Sequence, residues 1–171
     1  MTVTQPEAEP KSSALDLLTP DEANSVASLV IRDNPEITDL ALALSIVDEA
    51  LKFVAAAAKH PADPAVRPSR RVDMGWHALI LHTTIYVKLC QGLGRFVHHV
   101  PEGPETRRPV AVTQDDSIRV IREMGYEPNL DLWGGVGDAP LGGDCHTECN
   151  VECNSCTNPG FTPSPPLPAT A

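Results

Sequence analysis

The chain has 171 residues, of which 42% are hydrophobic and only 4% aromatic, and it carries a formal net charge of −10. That length accommodates one ordinary domain and a tail, with a core built mainly from Leu, Val, Ile and Ala. The acidity excludes a general binder of nucleic acid or anionic membrane, because either partner would repel the chain at long range.

Residues 1–13 are polar and contain two prolines, without the basic start and apolar run of a secretory signal. The longest apolar run, residues 53–58, falls far short of the about 20 residues a membrane span needs. A cytoplasmic protein is expected. The composition predicts a disordered N-terminal segment over residues 1–17, a helical domain over 18–133 and a flexible Cys- and Pro-rich tail over 134–171.

The first helix starts at Thr19-Pro20-Asp21-Glu22, which offers a capping threonine, a proline at the first helical position and a glutamate three residues after the cap. The segment 33–36 ends it and caps a second. In that second helix Ile37, Leu40, Leu44, Val47, Leu51 and Val54 step by three and four, one face for burial. Asp39, Asp48, Glu49 and Lys52 fall away from the most buried line. His60, before Pro61, reads as a solvated helix end.

Ser69 caps a third helix predicted over residues 71–93. Its core stripe is Trp76, Ile80, Thr83, Val87 and Cys90. Gly92 and Gly94 end it, and residues 96–100 are extended because Pro101 follows. Thr113 starts another helix, with Ile118, Val120, Ile121 and Met124 on its apolar side and Gly125 as its stop. Residues 126–133 fold back onto the bundle. No alternating strand pattern or internal repeat is present, so the fold is all-α, a small bundle of about four helices.

The third helix concentrates the chemistry. Asp73 and His77 stand four apart, about 40° from each other on one helix face, so the carboxylate can orient the imidazole or both can ligate a metal. His82 lies about 140° from His77 around a straight helix, too far to share an ion with it. The segment returning through His98-His99 is the natural source of a further ligand. Neighbours in an extended strand point to opposite sides, so only one of His98 and His99 faces inward. Against this stands the structural alternative: Trp76 and Tyr86 as packing residues, Cys90 as an inert buried thiol, and His77 as a hydrogen-bonded core histidine.

The run Val72-Asp73-Met74-Gly75-Trp76-His77, followed by Thr83, Tyr86, Leu89-Cys90 and His98-His99-Val100-Pro101, resembles the glycine-rich domain-containing protein-like family. Gly125-Tyr126 and Leu132-Trp133 look like that family's domain end. The resemblance covers about residues 20–133 and implies a helical domain without an assigned activity. It does not reach the cysteine tail.

In the tail, Cys145, Cys149, Cys153 and Cys156 form a C-x3-C-x3-C-x2-C array, with His146 as an extra nitrogen donor. Four thiolates so close can wrap zinc or an iron–sulfur centre. The last three cysteines share the spacing of radical enzymes that use S-adenosylmethionine, but no βα repeats follow to form their barrel. Leu141-Gly142-Gly143 resembles a double-glycine leader cleavage site, which makes the tail a candidate substrate for a maturation enzyme or protease.

The leading expectation is a non-catalytic metal-binding protein, with the tail cysteines as first ligands and Asp73, His77 and one of His98 or His99 as a second site. Alternatives are a precursor of a modified peptide and an enzyme centred on His77.

Overall fold

The computed structural model describes residues 10–60, 66–101, 113–134 and 145–148. Its centre is a helix, α2 (Leu40–Lys59), begun by the Asp39 carboxylate, which accepts from the Leu42 amide at 3.1 Å. Every residue of α2 from 46 to 58 is buried. Such a helix must have neighbours on all sides, and it packs against α1 (Pro20–Asp33), α3 (Arg70–Leu81), α4 (Thr83–Leu93) and α5 (Gln114–Glu123). The fold is all-α in its body.

Burial all round α2 overturns the expectation that its charged residues lie away from the core. Asp48, Glu49 and Lys52 are all buried. Lys52 Nζ lies 2.9 Å from Asp48 Oδ2 and 2.7 Å from Glu49 Oε1, and donates to the Glu127 carbonyl at 2.8 Å. Glu49 also accepts from Trp133 Nε1 at 2.7 Å and from the Asn129 amide at 3.0 Å. Asp48 accepts from the Ser13 hydroxyl at 2.7 Å and the Ala14 amide at 2.6 Å. Buried ions are tolerated only when their donors and acceptors are satisfied in this way. Burial alone would lower the Lys52 pKa, but the hydrogen bonds that Lys52 donates to Glu49 and Asp48 outweigh it and raise it.

The same cluster explains why disorder does not extend to residue 17. Lys11 bridges to Tyr126, with its amide on the Gly125 carbonyl at 2.7 Å, and Asp48 then holds Ser13 and Ala14. Residues 1–9 lie outside the described residues.

The caps at Thr19, Ser69 and Thr113 form as predicted, those at Thr19 and Thr113 as full capping boxes. At the first, Glu22 accepts from the Thr19 amide and hydroxyl and from Lys88 Nζ, which hold its pKa down at about 2.

The predicted helix over 71–93 is two helices. The chain breaks at His82 (φ −85°, ψ 63°), whose Nδ1 takes the Ala78 carbonyl at 2.8 Å and whose Nε2 lies 3.2 Å from Ser25 Oγ. Three β-branched residues, Thr83, Thr84 and Ile85, follow and resist continuation. The break rotates the buried face: α4 buries Tyr86, Leu89 and Cys90, and leaves Thr83 and Val87 exposed, contrary to the predicted stripe. It also makes five α-helices among the described residues instead of about four.

Gly75 sets the distance between α2 and α3. A Cβ there would stand 2.8 Å from the Ile46 carbonyl oxygen and 2.9 Å from Ala50 Cβ, so only glycine permits this approach.

Beyond α4 lies a small antiparallel ribbon that no sequence alternation announced, since its strands have four residues each. Strand β1 (His98–Pro101) pairs with β2 (Cys145–Glu148), matching His98 with Glu148, His99 with Thr147, Val100 with His146 and Pro101 with Cys145. Among the described residues no helix is long and apolar enough to cross a membrane.

Candidate metal centre

The Ser69 cap sets the rotation of α3. Its hydroxyl oxygen accepts from the Val72 amide at 3.2 Å and its hydrogen goes to the Leu132 carbonyl, so the helix start is tied to the chain's return. Asp73 then lies in the first turn, where the helix dipole favours a carboxylate. His77 follows one turn later.

His77 Nδ1 stands 2.9 Å from the Asp73 carbonyl oxygen and 3.2 Å from Asp73 Oδ2. A carbonyl only accepts, so Nδ1 carries the hydrogen and Nε2 presents the lone pair. This is the arrangement in which backbone and carboxylate orient metal-ligating imidazoles.

The third member arrives from β1. Gly94 closes α4 in the left-handed conformation (φ +81°), and the chain turns into the strand. Tyr86 then fixes the strand: its hydroxyl accepts from Trp76 Nε1 at 3.0 Å and donates to the Val97 carbonyl at 2.6 Å. Val97 is buried, and two positions on, His99 lies against the Trp76 ring (centroids 4.7 Å) and the His77 ring (4.5 Å). His98 turns to the other side, where its ring packs on Phe96 at 4.8 Å. Alternation along the strand separates the two histidines, and His99 is the inward one.

Asp73, His77 and His99 thus each offer one ligand atom, all within 4.8 Å of one another. With bonds of about 2.1 Å, tetrahedral ligand atoms stand about 3.4 Å apart, so an ion would draw this group together by roughly an ångström. Asp73 Oδ1 is buried and has no hydrogen-bond partner among the described residues. That oxygen fits a cation, since buried acceptors left without a donor are rare and costly. The Asp73 side chain is 22% exposed and that of His77 48%, so the group opens to solvent on the His77 side.

Of the other residues singled out in the sequence, His98 stands outside the group and Cys90 is buried on α4. Cys145 and His146 begin β2 beside β1. Cys149, Cys153 and Cys156 lie outside the described residues. The positioning roles of Trp76 and Tyr86 went unread in the sequence. The signal was their place in the same short motif as Asp73 and His77.

Fold and site together define a class: a small helical protein with a carboxylate and two imidazoles gathered between α3 and the strand after α4. Residues 24–124 match the UCP032817-like family, and the chain belongs to that family. The matched span contains Asp73, His77 and His99 and stops before the tail. No curated protein and no solved structure matches the chain.

Proposed function

We propose that the chain is a non-catalytic metal-binding protein whose helical domain holds one divalent ion of the zinc class at Asp73, His77 and His99. The observation that carries this reading is Asp73 Oδ1, a buried carboxylate oxygen without a donor among the described residues, set beside two imidazoles. An unsatisfied buried acceptor costs about 1–3 kcal/mol, and a cation removes that cost. One oxygen and two nitrogen donors suit zinc and its neighbours better than magnesium or calcium, which prefer oxygen alone.

The tail cysteines extend the reading as softer ligands for zinc or an iron–sulfur centre. The net charge of −10 supports a protein without nucleic-acid or anionic-membrane partners, and a cytoplasmic location belongs to the same proposal. The likeness of the Val72–His77 motif to the glycine-rich domain-containing protein-like family belongs to the same proposal. An enzyme centred on His77 is the third reading and ranks last, since the Asp73-oriented imidazole suits a metal ligand and a base alike.

The test is metal analysis of the full chain carrying Cys149→Ser, Cys153→Ser and Cys156→Ser, purified without a histidine tag and dialysed against zinc. It retains about one zinc per chain, and the further change Asp73→Ala with His77→Ala removes it while the helical circular dichroism stays. A folded chain without zinc would defeat the proposal.

Leu141-Gly142-Gly143, two residues before Cys145, favours a second reading in which the tail is a peptide core modified and released by a maturation enzyme or protease. Intact mass from the native host tests it: an unmodified chain of full length counts against a precursor.

A further inference from the structure

Asp73, His77 and His99 are walled on one side by aromatic rings. The Trp76 ring stands against His99, centroids 4.7 Å apart, and the Phe53 ring stands behind Trp76 at 5.0 Å. Both rings are fully buried, and neither offers an ion a lone pair. The other side is the His77 side, where that residue's side chain is half exposed. Among the described residues no further His, Cys, Asp or Glu joins the group.

Ions of the zinc class take at least four ligands, so three protein donors leave a position for a molecule from outside. The rings of Trp76 and Phe53 close the inner side, and the position therefore faces the His77 side. Charge decides what fills it. A divalent ion brings two positive charges, Asp73 returns one negative charge, and the two imidazoles bind as neutral donors. One positive charge is left beside an aromatic wall, where an unpaired charge is costly. A singly charged anion cancels it. A multiply charged anion overshoots, and the net charge of −10 repels it more strongly on approach. Oxygen is an accepted donor for this ion class, which makes a carboxylate the fitting anion.

We infer that the centre takes a small monocarboxylate as an exchangeable fourth ligand, bound from the His77 side. The inference rests on the metal reading of Asp73, His77 and His99 and gives that site its ligand class. Binding is a ligand exchange: one carboxylate oxygen bonds to the ion, a water molecule leaves for solvent, and no electron or proton is transferred. The centre is then a receptor for the anion of a small acid, in contrast to a closed structural site.

Cobalt(II) tests this, because its visible absorption changes with the ligands around the ion. The sample is the full chain with Cys149→Ser, Cys153→Ser and Cys156→Ser, loaded with one equivalent of cobalt. Acetate should shift the absorption and saturate, azide should compete with it for one position, and sulfate at equal ionic strength should bind more weakly than acetate. His98→Ala should leave the acetate response unchanged. Asp73→Ala with His77→Ala should weaken it at least about ten-fold, the scale by which changes at a metal site alter affinity. Cobalt held with a spectrum that neither acetate nor azide moves means that the chain itself fills every position. That result, an acetate response that survives Asp73→Ala with His77→Ala, or sulfate binding as tightly as acetate overturns the inference and leaves the three-residue metal reading to its own test. No cobalt binding by the parent chain overturns both.

Discussion

Tyr86 donates its phenolic hydrogen to the Val97 carbonyl at 2.6 Å, and this bond fixes the strand that carries His99. Because the same hydroxyl accepts from Trp76 Nε1, α3, α4 and β1 meet at one oxygen. The site is thus positioned by residues other than its three ligands.

Tyr86→Phe deletes that junction and leaves the buried Trp76 Nε1 without its acceptor. A lost buried partner costs about 1–3 kcal/mol. Urea unfolding should show a loss in that range. Zinc competition should show weaker binding, because His99 is no longer held against Trp76. Unchanged stability and affinity would mean that β1 is fixed by something else.

Gly75→Ala places a methyl group against Ile46 and Ala50, and α3 must move away from α2 or distort. Overpacking of this kind costs about 1–3 kcal/mol. The denaturation midpoint should fall accordingly, whereas the neighbouring exposed change His77→Ala should leave stability nearly intact.

Lys52→Ala removes the cation from between Asp48 and Glu49 and leaves two buried carboxylates facing each other. Breaking a buried pair costs about 3–5 kcal/mol. The pH dependence follows from the raised Lys52 pKa. A folded pKa above the unfolded value gives stability that is fully present below the unfolded pKa and is lost as pH rises through the folded one. Thermal unfolding of the native chain should therefore fall off steeply in alkali above about pH 10.4, the ordinary lysine value, and the Lys52→Met chain should lose that dependence.

At acid pH the sign reverses. Glu22 is held down at about 2 from its ordinary value of 4.5, chiefly by the Thr19 amide and then by Lys88. Its contribution is present above 4.5 and is lost as pH falls through about 2. Glu22→Gln should flatten the acid limb of a melting-temperature profile in that window. Parallel profiles would show that the capping box contributes nothing there.

What was legible in the sequence is what is local. The caps at Thr19, Ser69 and Thr113 bond to amides three residues away, and Asp73 meets His77 one turn on. Strand alternation already required that one of His98 and His99 face inward, but the choice depended on Tyr86 and Trp76 across the fold. The burial of Glu49 was not legible, because its partner Trp133 lies 84 residues away. The break at His82 is hidden in the sequence because the apolar period runs through it, and what marks the turn is the β-branched run Thr83, Thr84 and Ile85 together with the tertiary contact with Ser25. The ribbon escaped because four-residue strands carry no period.

The adjacent histidines give the most direct test of the account. Zinc affinity should be measured by competition with a chromophoric chelator for His98→Ala and His99→Ala, each in the full chain with Cys149, Cys153 and Cys156 changed to Ser. His98→Ala should bind one zinc as the parent does, and His99→Ala should bind at least about ten-fold more weakly, the scale at which metal affinity responds to changes around a site. Equal affinities for the two variants would contradict a centre built from Asp73, His77 and His99.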